Sequence, residues 1–314
     1  MAPSADVARS PKGRIMTAQL AAESWTVEQI PDLTGTTIIV TGGNSGIGLE
    51  AVRSFALNGA HVVLAVRDER RGSDAAATVE GSTEVRHLDL ADLASVRAFA
   101  ENWRGDIRVL VNNAGVLVPP FGRTRDGFEL QFGTNHLGHF ALTNLLLPYL
   151  TGRVVTVASN AHRTGHIDFD DLDWSTRAYG AGSDAYAQSK LANLLFTLEL
   201  QRRLEASDSR VIATAAHPGM AATNLGASTG NAMLRLVGKI AVRWVAQSAA
   251  AGAGPTLFAA TAPMPGAGYA GPSRRGGMTG PPVLVDRAAA AEDRVTAARL
   301  WTVSEELTGV EFPW

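Results

Sequence analysis

From Thr36 onward the chain alternates short β-branched runs with longer stretches of helical periodicity. That alternation is the mark of βαβ units feeding a parallel sheet. Thr37–Val40 reads as the first strand and Gly46–Asn58 as the first helix; His61–Val66 is the second strand, followed by a helical stretch around Arg70–Val79. Glu84–Leu88 is a third strand, Ala94–Asn102 a helix with Asp92 as its N-cap, and Val109–Val111 a fourth strand. Phe128–Tyr149 is a long, largely apolar helix, Val154–Ala158 the fifth strand, Ala185–Glu205 a second long helix, and Arg210–Ala216 the sixth strand. Six strands separated by helices predict one α/β domain, a Rossmann-type doubly wound parallel sheet with helices on both faces, spanning 31–314 behind an N-terminal tail, 1–30. The Gly- and Pro-rich segment Gly266–Pro282 reads as loop.

Composition narrows the classes. The chain has 314 residues, 46% hydrophobic and 18% charged, enough to bury a core unaided. A net charge of −2 supplies no field to draw in a phosphate backbone, so nucleic acid is not an expected partner. With no cysteine, disulfides, thiolate nucleophiles and cysteine-based zinc sites are excluded. The first 24 residues lack a basic start followed by an apolar run, and the uncharged stretch Trp244–Ser273 is broken by four prolines. The expectation is a cytoplasmic protein without a membrane span.

In such sheets ligands bind at the carboxyl ends of the strands, and the informative residues fall there. Directly after the first strand come Thr41, Gly42, Gly43, Asn44, Ser45, Gly46, Ile47 and Gly48, and then the helix. Glycines at such a turn let the backbone bend tightly and approach a pyrophosphate, while the helix N-terminus presents free N–H groups. After the second strand, Asp68 lies 20 residues beyond Gly48, where a carboxylate would favour NAD(H); Arg67 precedes it, where a guanidinium would grip the extra phosphate of NADP(H). NADP(H) is the expected cofactor, NAD(H) the less favoured one. After the fourth strand come Asn112, Asn113, Ala114 and Gly115, and after the fifth comes Ser159.

Tyr186 and Lys190 stand four apart in the second long helix, hence on one face. An ammonium ~4 Å from a phenol would lower its pKa by ~3 units at an effective dielectric near 20, bringing it into a range useful for proton transfer. The pairs His136/His139 and His162/His166 lack partners that would complete a metal site and read as core or loop histidines. Trp174, Tyr179, Met220 and Leu225 are candidates for lining an apolar substrate pocket.

Taken together, the Thr41–Gly48 turn, Asp89, Asn112–Gly115, Asn135, Ser159, Tyr186/Lys190 and His217-Pro218-Gly219 with Thr223 resemble the short-chain dehydrogenase/reductase family over roughly Leu33–Leu225. The segments Ala65–Asp68, Asn135–Phe140 and Ser189–Asn193 look most like its retinol-dehydrogenase-like branch and bacterial relatives. The resemblance implies a catalytic tetrad of Asn135, Ser159, Tyr186 and Lys190. In it Tyr186 would be the acid/base, Ser159 would orient a carbonyl, Lys190 would lower the tyrosine pKa and hold the ribose, and Asn135 would position a relay water. It also implies cofactor contacts from Asp89 and Leu90 near the adenine, from Asn113, Ala114 and Gly115 along the adenosine, and from Pro218, Gly219 and Thr223 near the nicotinamide. The implied reaction is hydride transfer between NADP(H) and a carbonyl or alcohol of a fairly apolar small molecule, with a homodimer paired through the long helices. Two alternatives stand beside it: a catalytically silent NADPH sensor or scaffold, which the intact Ser159, Tyr186 and Lys190 disfavour, and a protochlorophyllide-reductase-like enzyme, which the lack of cysteine disfavours.

Overall fold

The computed structural model describes residues 25–220 and 248–314. Eight strands form one sheet in the order β3-β2-β1-β4-β5-β6-β7-β8. They are β1 (Thr37–Thr41), β2 (His61–Val66), β3 (Ser82–His87), β4 (Ile107–Asn112), β5 (Leu150–Val157), β6 (Ile212–Ala216), β7 (Tyr269–Arg274) and β8 (Thr279–Leu284). Every neighbouring pair is parallel except β7 and β8. The order reverses between β1 and β4, which opens a crevice at the carboxyl ends of the strands.

The helices are α1 (Gly46–Leu57), α2 (Glu69–Ala76), α3 (Leu93–Glu101), α4 (Gly138–Leu146), α5 (Ser183–Ala206), α6 (Ala249–Thr261) and α7 (Arg294–Thr308). Leu130–Phe132 and a π-helical turn, Gly133–Leu137, lead directly into α4. Alternation within the strands divides the core between the two faces. Ile38, Val40, Val62 and Leu64 pack with Phe55 of α1 and with Leu257 and Phe258 of α6. Ile39, Val63, Ala65 and Leu110 pack on the other face with Phe99 of α3, Phe140 of α4, Phe196 of α5 and Trp301 of α7. Fully buried parallel strands need apolar residues on both faces, which is why β1, β2 and β4 read as nearly continuous hydrophobic runs.

Two expectations need correction. Gly266–Pro282 is not a loop: it carries β7 and most of β8, because Tyr269 and Ala270 register against Ala215 and Ala216 of β6 and the outer strand folds back against β7. Proline is tolerated there because β8 is the edge strand and Pro272 of β7 lies beyond the two residues that pair with β6. The tail ends earlier than 30, since Trp25 and Ile30 are buried and the Trp25 ring meets Phe258 edge-on at 5.6 Å. The uncharged stretch before Ser273 contains α6, which ends at Thr261 with Pro255 inside it, and then β7. Among the described residues no helix is long and apolar enough to cross a membrane.

α7 lies on the long helices. The Trp301 ring stacks on Phe196 at 5.7 Å and meets Phe140 edge-on at 4.9 Å, and Ser304 bonds His136 at 2.9 Å. The long-helix face on which a second copy was expected is therefore met, at these positions, by the chain's own C-terminal helix.

Candidate active site

The glycine turn joins the end of β1 to the N-terminus of α1, with Gly42 and Gly46 at φ +64° and +54°. Only glycine adopts that left-handed backbone without strain. A side chain at Gly42 would come within 3.1 Å of Ala114, and one at Gly48 would strike the Asn113 amide. The turn is thus packed against the loop that follows β4. Asn113 Nδ2 donates to the Thr41 carbonyl at 2.8 Å, and the Asn113 and Ala114 backbone N–H groups both donate to Thr41 Oγ1 at 2.9 Å. Ser45 is the N-cap of α1 yet makes no side-chain hydrogen bond to the first turn. The N–H groups of that turn are left without a side-chain cap at the end of the helix that favours an anion. Asn44 is half-buried beside them and Ile47 packs into the core.

At the end of β2 the two candidate charges behave differently. Asp68 caps α2, its carboxylate accepting from Arg71 N at 3.0 Å. Arg67 is exposed and, among the described residues, has no hydrogen-bond or ion-pair partner. After β3, Asp89 accepts from Ala91 N at 3.0 Å and Leu90 is buried against Gly138.

Ser159, Asn135, Tyr186 and Lys190 come together where β4 and β5 end against α5. Ser159 caps the turn Asn160–Thr164, accepting from Ala161 N at 3.2 Å, and its hydroxyl sits beside the Tyr186 phenol, close enough to favour its ionised form. Lys190 is buried; its Nζ donates to the Val157 carbonyl at 3.0 Å and lies 5.6 Å from the centroid of the Tyr186 ring. Asn135 sits in the π-helical turn. Its Oδ1 accepts from Val116 N at 2.8 Å, and its Nδ2 donates to Val116 O and to Ser189 Oγ, each at 3.0 Å. Gly115 closes the group: a side chain there would meet Asn135 Oδ1 at 3.1 Å and Lys190 Nζ at 3.7 Å.

The electrostatics depart from expectation. Burial raises the Tyr186 phenol above its ordinary value, and the Ser159 hydrogen bond offsets this only in part. Lys190 is not among the groups that shift the phenol; its ammonium donates to the Val157 carbonyl and lies 5.6 Å from the ring centroid. Burial also lowers Lys190 itself, to about 8. The Asn135 amide nitrogen spends both its protons on protein groups, and its Oδ1 accepts from Val116 N.

Pro218 and Gly219 follow β6. Gly219 is at φ +66°, its N–H donates to His217 Nδ1 at 3.3 Å, and a side chain there would run into the Met278 carbonyl in the β7–β8 hairpin. Thr223 and Leu225 lie outside the described residues. Trp174 is buried edge-on to Tyr179 at 5.7 Å, and Tyr179 is edge-on to Phe121 at 5.1 Å. Met220 is exposed.

Several supporting groups escaped sequence reasoning. Gln131 accepts from Val118 N at 2.9 Å and donates to Tyr179 Oη at 2.7 Å and to Gly182 O at 2.8 Å. It thereby ties the loop after β4 to the start of α5. Buried Glu129 accepts from Tyr179 Oη at 2.8 Å and from the N–H groups of Gln131 and Phe132 at 2.8 and 2.6 Å. His162 Nδ1 bonds the Ser159 carbonyl at 2.6 Å, while its Nε2 accepts from Ala288 N at 3.1 Å. Polar residues inside an apolar helical pattern were the available signal for Glu129 and Gln131; His162 carried none.

Comparison with known proteins shows the family to which the chain belongs. Residues 36–171 match the short chain dehydrogenase family model. Human retinol dehydrogenase 13 is 43% identical over 300 residues, covering 89% of this chain and 86% of its own. A crystal structure of an uncharacterized protein from Mycobacterium Paratuberculosis superposes with a TM-score of 0.82 at 49% identity, over 93% of this chain and 100% of that one. An NAD(P) dependent gluconate 5-dehydrogenase from Beutenbergia cavernae, with bound NADP, superposes with a TM-score of 0.55 at 27% identity, over 73% of this chain and 91% of that one. The chain belongs to the short-chain dehydrogenase family. Within it, the chain falls in the retinol-dehydrogenase-like branch and is an oxidoreductase of the CH–OH/C=O class, using NAD(P)(H) and a small-molecule substrate.

Proposed function

We propose that this protein transfers hydride between NADP(H) and a carbonyl or alcohol of a fairly apolar small molecule, with Tyr186 as the acid/base. The observation that carries the reading is the convergence of Ser159, Tyr186 and Lys190 at the carboxyl end of the sheet, with the Ser159 hydroxyl beside the phenol and the lysine held to the Val157 carbonyl. The cofactor reading is supported by the uncapped first turn of α1 and by the glycine cradle against Ala114 and Asn113. Preference for the phosphorylated form rests on unpartnered Arg67 and on Asp68 serving as a helix cap. NADP bound to the gluconate dehydrogenase neighbour is consistent with that preference.

When bound, the nicotinamide supplies or accepts the hydride. Ser159 donates to the substrate oxygen and orients it beside the phenol. In the reductive direction Tyr186 gives its Oη proton to that oxygen, and a phenol raised by burial keeps that proton at neutral pH. Lys190, charged below about 8, recruits a proton to replace the one transferred. Asn135 holds the Val116 backbone so that Gly115 stays close to Lys190.

The test is a fluorescence titration with NADPH and with NADH, followed by carbonyl turnover of the wild type and of Tyr186→Phe. Expected are tighter NADPH binding, and a kcat in Tyr186→Phe reduced at least ~100-fold with NADPH affinity retained, the range for loss of a general acid. Turnover unaffected by Tyr186→Phe would overturn the assignment.

A further inference from the structure

The buried histidine one turn after Asn135 has no part in the mechanism above, yet its hydrogen bonds cross the site. His139 Nδ1 lies 3.0 Å from the Asn135 carbonyl, and its Nε2 lies 2.9 Å from Thr41 Oγ1. A carbonyl can only accept, so Nδ1 carries the proton. Thr41 Oγ1 already accepts two N–H donors, from Asn113 and Ala114, which occupies both its lone pairs. Its single proton is therefore directed outward, and the nearer acceptor is His139 Nε2 at 2.9 Å rather than the Val111 carbonyl at 3.3 Å.

The chain of bonds is closed and has one sense. Asn113 and Ala114 N–H donate to Thr41 Oγ1, Thr41 donates to His139 Nε2, and His139 Nδ1–H donates to the Asn135 carbonyl. An imidazolium would need a third acceptor site on Thr41 Oγ1, so the network admits only the neutral ring. Burial of His139 and the charge of Lys190 act in the same direction, and the ring titrates at about 4. The chain starts in the loop that closes on the glycine turn and ends in the π-helical turn, a departure from helical geometry often found at functional sites.

We propose that His139 is a positioning residue that sets the Asn135 carbonyl against the Asn113–Ala114 backbone through the Thr41 hydroxyl. The cofactor loop and the catalytic helix are then held in one register. The inference rests on the catalytic reading above for its effect on rate, but not for the network itself.

A double-mutant cycle tests it, using Thr41→Val, His139→Asn and the pair, with NADPH affinity and carbonyl turnover both measured. The asparagine keeps a donor near the position of Nδ1 but cannot span the distance to Thr41. The expected result is a kcat lower by roughly tenfold in His139→Asn with substrate KM within about twofold, and a double variant no more than about twofold worse than the poorer single. Thr41→Ser, which keeps the hydroxyl, should preserve the coupling to His139. Amide hydrogen exchange in the segment 112–116 should quicken in His139→Asn. If His139→Asn does not fold, as judged by a cooperative melt, His139→Gln takes its place in the cycle. Losses that multiply in the double variant, unchanged exchange at 112–116, or a raised KM with unchanged kcat would each overturn the proposal. A wild type inactive on every carbonyl offered would instead sink the proposed function. The exchange measurement and the NADPH-affinity cycle would still decide the role of His139.

Discussion

Acidification should unfold this protein by a route that can be counted residue by residue. Burial holds His136 at about 3 and both His139 and His217 at about 4, against about 6.5 in an unfolded chain. All three side chains are almost wholly enclosed, so solvent screening does not discount the effect. A group depressed in the folded state contributes stability above its unfolded pKa and loses it as pH falls toward its folded pKa. At pH 5 each ring is about 1.5 units below its unfolded pKa and still above its folded one, so each loses about 2 kcal/mol, at 1.36 kcal/mol per unit. Together they remove about 6 kcal/mol, a large share of the 5–15 kcal/mol typical of a folded domain. Glu129 opposes this: burial raises its carboxyl, so its protonation at low pH favours the folded state. Other carboxylates enter mainly below pH 5. The assay is differential scanning calorimetry at constant ionic strength from pH 7.5 to 5, where the melting temperature should fall by roughly 9 °C for a chain of this size. A fall of less than about 4 °C over that range would refute the reasoning, because three neutral buried imidazoles would then not be what the fold requires.

The site itself yields two further outcomes. Arg67→Ala should weaken NADPH binding by about 10- to 100-fold, the worth of one charge-assisted hydrogen bond, and leave NADH within about twofold; equal losses for the two cofactors in a fluorescence titration would contradict the assignment. The reductive kcat/KM should be level below about pH 7 and decline through about 8 as Lys190 loses its proton. Lys190→Arg should move that decline upward, and a wild-type profile level to pH 9.5 would rule out the role given to Lys190.

Much of the fold was legible because its signals are local. β-branched runs, the Asp92 cap and the glycine turn each report on a few adjacent residues, and the structure contains β1 to β6, α1 to α3 and α5 near their expected bounds, whereas the single helix expected over Phe128–Tyr149 is divided into Leu130–Phe132, a π-helical turn, α4 and a closing 3-10 turn. β7 and β8 were hidden by Pro281 and Pro282 in the edge strand and by Pro272 beyond the part of β7 that pairs with β6, prolines whose usual meaning is loop. The candidate site residues could be named from spacing, but their electrostatics could not. Four residues separate Tyr186 from Lys190 in any helix, whereas the direction of the Lys190 ammonium depends on the Val157 carbonyl of β5, 33 residues away. The histidine pairs illustrate the same limit. His136 and His139 are core residues, as expected, yet one bonds Ser304 of the last helix and the other Thr41 of the first strand.

Between Glu129 and His139 a largely apolar helix carries a few buried polar groups, and each of them holds a neighbouring segment in place. Glu129 and Gln131 hold Tyr179, Gln131 also holds Val118 and Gly182, Asn135 holds Val116 and Ser189, and His139 holds Thr41. Each would cost free energy if left unpaired inside the protein, so each is stable only when its loop is in place. The end of β1 and the loops after β4 and β5 carry the other halves of these bonds, so their geometry is set in part from this segment, whose own position is set by Phe140 against Phe196 and Trp301 in the core. Packing in the interior thereby fixes the positions of groups that must meet within hydrogen-bond distance at the surface crevice.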